Sequence, residues 1–326
     1  MTITPTIETI QGALASALGR WGFSPRATLS FLSHSENTTF LACDPESEQE
    51  LVLRVQRIGY HTPTEIFSEL AWISALLTDG VVDTPRPVPD REGHLLCEVP
   101  IGSLTRNIVA FERMSGHEPD QSVSLPAWFR KLGELTARLH SHSRRWPRAR
   151  TFQRKTWDFD AMLGARPLWG DWRAGLGLQE SDKRLLQRVA DGLAESLDAY
   201  GVESRRFGLV HADLRLANLL VDQDRLGVID FDDCGFSWYF YDFAAAVSFI
   251  EHQPIVPELQ AEWVDGYRKV APVSDDDEAM LPTFVMLRRM LLTAWIASHS
   301  ETDTARTLGA NYTQDTLAMG ERFLRA

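Results

Sequence analysis

The sequence predicts an α+β chain in two parts: a small antiparallel-sheet lobe with one main helix, then a larger and mostly helical lobe. Three observations carry this. Residues 27–112 hold short apolar runs of strand length separated by polar turns, with one long helical pattern among them. Pro85, Pro87 and Pro89 close that helical block, and two further strand candidates follow. Beyond them leucines recur at helical spacing, as in Leu132, Leu135 and Leu139. The expected division is 1–112 and 113–326.

Taken in order, Ile7, Ile10, Leu14 and Leu18 mark a short amphipathic helix over residues 7–20. Residues 27–32 and 38–42 flank a polar turn of hairpin length, and the alternating ELVLRV run at 50–55 is a third strand. Thr62, Pro63 and Glu65 supply an N-cap, a proline at the first helical position and a capping-box carboxylate. The helix that follows, roughly 63–77, presents Ile66, Leu70, Ile73 and Leu77, and Glu69 falls on the same stripe. In the preceding strand Arg54 shares a face with Val52, where an apolar residue is expected. A charge in each place is costly unless the two meet, so Arg54 and Glu69 are expected to pair. Strands are expected at 94–99 and 108–111, a helix at 125–140, and a solvated acidic loop at 275–278. His140 and His142, at the end of their helix, are expected to bond backbone carbonyls.

The 326 residues carry 33 Lys+Arg against 45 Asp+Glu, a formal net charge of −12. That balance argues against sequence-independent capture of nucleic acid, which needs clustered basic charge. With 44% hydrophobic and 24% charged residues the chain is ordinary for a globular protein with a sizeable core. Cys43, Cys97 and Cys234 are far apart and form no C-x-x-C pair, which excludes a disulfide framework and a cysteine zinc site. No secretory leader is expected over residues 1–19, and no run reaches the ~18 uninterrupted apolar residues that a bilayer span requires. A reducing cytoplasm and no membrane partner are the expectation; oligomeric state is not indicated.

The chemistry concentrates in HADLRLANLLVD (residues 211–222) and in VIDFDDCGFSWYFYDFA (residues 228–244). Short apolar strands frame the polar residues, so a loop and a hairpin could bring Asp213, Asn218 and Asp230 together. Carboxylate and amide oxygens suit a hard cation such as Mg²⁺, which keeps room for phosphate oxygens. No G-x-x-x-x-G-K-[ST] occurs, which removes the P-loop kinases.

H-x-D-x-x-x-x-N followed by a strand-borne aspartate resembles the catalytic and metal segments of the protein-kinase-like fold. The surrounding sequence is similar to the aminoglycoside phosphotransferase superfamily, which includes homoserine and choline kinases, and the Ser35–Thr38 turn resembles bacterial homoserine kinases of this fold. The resemblance implies ATP and Mg²⁺ as cofactors and transfer of the γ-phosphate to a hydroxyl of a small metabolite. It puts Asp213 in the base position and Asn218 and Asp230 as metal ligands. Arg215 is a candidate charge stabiliser, and His211 a structural hydrogen-bonding residue. Arg54, Glu69 and Asn37 fall in the nucleotide-binding lobe, and the backbone of Glu112 to Met114 in the inter-lobe hinge that contacts adenine. Asp242 would brace the catalytic loop.

The chain departs from the pattern in three places. Arg54 stands where a strand lysine is usual, the hairpin turn lacks the glycines of G-x-G-x-x-G, and Asp232 replaces the glycine after Asp230-Phe231. Asp232 and Asp233 are expected to be solvated acids, with added metal or substrate contacts as the alternative. Trp157, Phe159, Trp169 and Trp172 are either core or an aromatic pocket for an amine-bearing acceptor. The alternatives to a small-molecule kinase are a stress-response-type protein Ser/Thr kinase, a catalytically silent nucleotide-binding regulator and a metal-dependent phosphoesterase.

Overall fold

The structure is a computed structural model that describes residues 5–35, 37–120, 125–300 and 302–325. Glu36, in the expected Ser35–Thr38 turn, lies outside the described residues. The chain forms two compact units, Met1–Ser115 with Ala149–Gln153, and Gly116–Arg148 with Arg154–Ala326.

The first unit is built on an antiparallel sheet of β1 (Thr28–His34), β2 (Thr38–Cys43), β3 (Glu50–Val55), β4 (Pro87–Val88), β5 (Cys97–Ile101) and β6 (Leu104–Glu112). Its order is β1-β2-β3-β6-β4, with β5 also on β6. Strand alternation sorts the two faces. Phe40, Ala42, Leu51, Leu53 and Val55 join Ile10 and Leu14 of α1 (Ile7–Ala17) in one core cluster. The opposite face carries Arg54, which meets α2 (Pro63–Thr78). The capping box on α2 forms as expected, with the Glu65 N–H donating to Thr62 Oγ1 and the Thr62 N–H to the Glu65 carboxylate. The strand expected at 94–99 starts only at Cys97, because Asp90 Oδ1 takes the backbone N–H groups of Glu92 (3.0 Å) and His94 (2.9 Å) and holds the chain in a turn.

The second unit contains α3 (Leu125–Arg145), α4 (Phe159–Met162), α5 (Glu180–Tyr200), α6 (Tyr241–Ala246), α7 (Val256–Arg268), α8 (Asp275–Ala279), α9 (Leu281–Ser298) and α10 (Asp303–Phe323). Two small antiparallel sheets are inserted among them: β7 (Phe207–Val210) with β10 (Gly235–Trp238), and β8 (Leu219–Asp222) with β9 (Arg225–Val228). Helices α3 and α7 touch backbone to backbone. A Cβ on Gly133 would overlap the Trp263 carbonyl, and one on Gly266 the Arg130 carbonyl. Residues 275–298 contain an 18-residue stretch long and apolar enough to cross a membrane, yet 83% of that stretch is buried within the protein, as befits a core helix.

Two expectations are corrected. Residues 275–278 are not a loop: Ser274 caps α8, and while Asp275 and Asp276 are exposed as expected, Asp277 accepts the Tyr200 hydroxyl (2.6 Å). His140 does not serve a carbonyl. Its buried ring bonds the Tyr267 hydroxyl (3.0 Å) through Nδ1 and the Asp242 carboxylate (3.0 Å) through Nε2.

Desolvation lowers the His140 pKa and outweighs the raising effect of Asp242. The unfolded chain therefore takes up this proton first as pH falls. The stability His140 contributes is full above the ordinary imidazole pKa of about 6.5 and is lost as pH drops below it toward the folded value. Thermal denaturation should therefore show a smaller Tm loss between about pH 7.5 and 5.5 for His140→Gln than for the parent chain; equal losses would contradict this.

Candidate active site

Strand β7 ends in the buried Leu209 and Val210 and hands the chain directly to residues 211–218. The turn begins at Ala212, whose φ of 67° is left-handed and strained for a residue with a Cβ. What holds it is Asp242, near the start of α6. This fully buried carboxylate accepts the N–H groups of His211 (3.2 Å) and Ala212 (2.7 Å) as well as His140 Nε2. The His211 ring is fixed too: Nδ1 accepts the Asp213 N–H (3.3 Å), so Nε2 carries the proton donated to the Ile229 carbonyl (3.2 Å). Both ring nitrogens are occupied, which makes His211 a strut rather than a base.

Asp213 is gripped at both oxygens. Oδ1 accepts Arg288 Nη2 (2.5 Å), and Oδ2 accepts Asn218 Nδ2 (2.7 Å) and Arg215 Nε (3.2 Å). Burial alone would raise its pKa, but the charges of Arg215 and Arg288 outweigh that and hold the carboxyl below its ordinary value. It is an acceptor with a fixed direction rather than a strong base.

The Asn218 amide nitrogen also donates to the Asp213 carbonyl (2.9 Å), so its side-chain oxygen is the atom left for a cation. Its own backbone carbonyl accepts the Ile229 N–H (2.9 Å), which ties it to the segment carrying Asp230. Asp230 is exposed and stands at φ 62°, a second left-handed non-glycine residue at the site. An amide oxygen and a carboxylate form a hard donor set, so these residues fit a divalent cation that keeps further oxygen ligands.

Asp232 and Asp233, expected to be solvated, are buried. Arg154 and Trp157 pull them in by their backbone: Arg154 donates to the carbonyls of Asp232 and Cys234, and Trp157 Nε1 to the Asp233 carbonyl (2.8 Å). The tryptophans take the core reading. Trp157, Trp169 and Trp172 are buried, with Trp169 against Trp157 (5.1 Å) and under the Arg288 guanidinium (5.2 Å), and Trp172 under Arg173 (4.1 Å). Phe159 is half-buried.

In the first unit Arg54 donates to Glu69 Oε2 at 2.7 Å with both side chains buried, and its guanidinium lies 5.1 Å from the Phe111 ring. Gln56, in the amide orientation that satisfies both neighbours, accepts from Arg54 and donates to Asn37 Oδ1 (3.3 Å), which also accepts the Arg57 N–H (3.1 Å). Asn37 thus braces Arg54 at one remove. The Glu112 N–H is spent on the Arg86 carbonyl (2.9 Å), and Met114 lies just past the end of β6.

Arg288 was not found from the sequence. A signal existed: two adjacent arginines interrupt the apolar run of α9, and an arginine inside a core helix must have a partner.

A strained loop that aims one carboxylate, beside oxygen donors for a cation, is the site of an ATP-dependent kinase with a hydroxyl acceptor. The chain belongs to the phosphotransferase enzyme family, which it matches over residues 28–280. Among solved structures it is similar to the microcompartment-associated aminopropanol kinase, with 46% identity, a TM-score of 0.88, and coverage of 96% of this chain and 97% of that one. A second structure, amicoumacin kinase hAmiN in complex with AMP-PNP, Ca²⁺ and Ami, has 23% identity and a TM-score of 0.78 over 96% of this chain and 92% of that one. Amicoumacin kinase of Bacillus subtilis is 25% identical over 290 residues, 86% of this chain and 82% of that protein. These likenesses establish the two-lobed protein-kinase-like fold and a small-molecule kinase.

Replacing Asp242 by alanine leaves three buried N–H donors without an acceptor. The expected cost is about 3 kcal/mol or more, read as a lower urea midpoint with unchanged slope. An unmoved midpoint would show that the loop is held by other means.

Proposed function

We propose that this kinase transfers the γ-phosphate of ATP to the hydroxyl of a small amino alcohol, with Mg²⁺ held by Asn218 and Asp230. The observation that carries the reading is the two-sided grip on Asp213. A carboxylate with a lowered pKa and a fixed direction accepts a hydrogen bond from the acceptor hydroxyl and points its oxygen in line with the phosphorus. Proton transfer then follows bond formation, when the oxygen has become acidic. Arg215 offsets charge on the transferring group. When bound, the metal ion would neutralise phosphate charge, and Asn218 and Asp230 present its oxygen ligands.

In the first lobe, residues 1–112 in this reading, Arg54 binds the α- and β-phosphates, positioned by Glu69 and, through Gln56, by Asn37. Adenine is met by the backbone about Glu112 and Met114, chiefly Met114, because the Glu112 amide is already engaged. Residues 113–326 provide catalysis and acceptor binding. The amino-alcohol acceptor is supported by the likeness to an aminopropanol kinase. The three free cysteines fit a reducing cytoplasm.

The test is Mg²⁺-dependent ADP release across aminopropanol, ethanolamine, choline, homoserine, an aminoglycoside and a protein acceptor. Turnover should be highest with the short amino alcohols, vanish on chelation, and fall by ~10³-fold or more in Asp213→Asn. Preference for the protein acceptor, or substantial turnover in Asp213→Asn, would overturn the reading. Arg54→Met and Glu69→Gln should each raise the ATP KM by roughly tenfold or more while leaving the acceptor KM near its original value. An unchanged ATP KM would remove both residues from the nucleotide site.

A further inference from the structure

We infer that Arg288 is a positioning residue for phosphoryl transfer, a buried clamp that fixes both the Asp213 carboxylate and the strained peptide unit preceding it. The inference rests on Asp213 orienting the acceptor hydroxyl, as proposed above.

Arg288 lies in the middle of α9, a helix buried almost all round, and is itself 2% exposed. Its guanidinium is anchored on every side. Nε donates to Ser248 Oγ (3.0 Å), Nη1 to the Tyr241 hydroxyl (3.1 Å) and the Ala212 carbonyl (3.3 Å), and Nη2 to Asp213 Oδ1. The Trp169 ring packs against it. A guanidinium has five N–H donors, and four are given to protein here, so this group is scaffold rather than a mobile finger that swings onto phosphate. Because Arg288 takes Oδ1 while Asn218 and Arg215 take Oδ2, rotation of the carboxylate about its last torsion breaks bonds at both ends.

The same arginine holds the backbone. Ala212 gives its N–H to Asp242 and its carbonyl to Arg288, so the left-handed residue is tied at both polar groups. Stability does not account for the arrangement. A buried ion pair is commonly no better for stability than apolar residues of the same volume, and a methionine would continue the pattern of α9. Arg289 next door supplies the contrast. It is equally buried, but it bonds Glu251 (2.9 Å), Thr316 (2.8 Å) and the Tyr312 carbonyl (2.6 Å), and so ties α10 to α9.

The experiment compares Arg288→Met, Arg288→Lys and Arg289→Met in the full chain, with MgATP and the best acceptor from the panel. Arg288→Met should lose ~10²-fold or more in kcat, with both KM values within about threefold of the parent. Arg288→Lys should recover part of that loss, because the charge returns without the fork. Arg289→Met should lower Tm and leave kcat per folded molecule within about twofold. If Arg288→Met does not fold, Arg288→Gln is read in its place. A kcat within about threefold of the parent in the folded Arg288 variant, or an equal loss in Arg289→Met, overturns the inference. Asp213→Asn with parental turnover would instead remove the reading beneath it. An inactive Asp213→Asn beside unimpaired Arg288 variants removes this inference alone.

Discussion

The buried carboxylate of Asp242 is the constraint on which the site depends. It collects two backbone N–H groups from the turn at His211 and Ala212 and a third N–H from His140 on α3. A left-handed alanine is unfavourable by itself, by about 1–2 kcal/mol. It persists because one acceptor satisfies donors that would otherwise be buried without partners, a larger penalty. Helix α3, the loop and α6 thereby become one assembly, and Asp213 inherits its position from them. One buried carboxylate thus sets the position of another.

Burial of charge recurs through the molecule with different purposes. Arg289 and Glu251 are both fully buried and join the C-terminal helix to the core. Arg54 and Glu69 are buried in the first unit, where neither charge could be left alone in a low-dielectric setting. Arginine in that place has a consequence that lysine would not. Its fork can hold Glu69 and Gln56 together, which a single ammonium point charge would do with less directional control.

Much of the fold was legible because it follows from periodicity. The hairpin, the ELVLRV strand and α2 with its capping box are local patterns, and the Arg54–Glu69 pair followed from two charges on faces that should be apolar. What failed was set by distant partners. Residues 275–278 look solvated in isolation, yet Ser274 caps them into a helix and Tyr200, more than seventy residues earlier, draws Asp277 inward. Asp232 and Asp233 look like surface acids until Arg154 and Trp157 gather their carbonyls. Arg288 is the sharpest case. Its arrival at Asp213 depends on how α9 lies against α6, which no window of sequence contains.

The distribution of guanidinium groups also bears on the acceptor. An acceptor that carries a carboxylate needs a cation with free donors, as anion recognition by arginine does. Arg288, the buried arginine bonded to Asp213, already gives four of its five N–H groups to Ser248, Tyr241, Ala212 and Asp213. Arg154 is turned onto backbone carbonyls. Asp232 and Asp233 are likewise withdrawn from water, and the charge of Asp233 acts on Arg288 itself. Arg288 and Arg154 are thus committed to holding residues 212–234 in place rather than to recognising a second group on the acceptor.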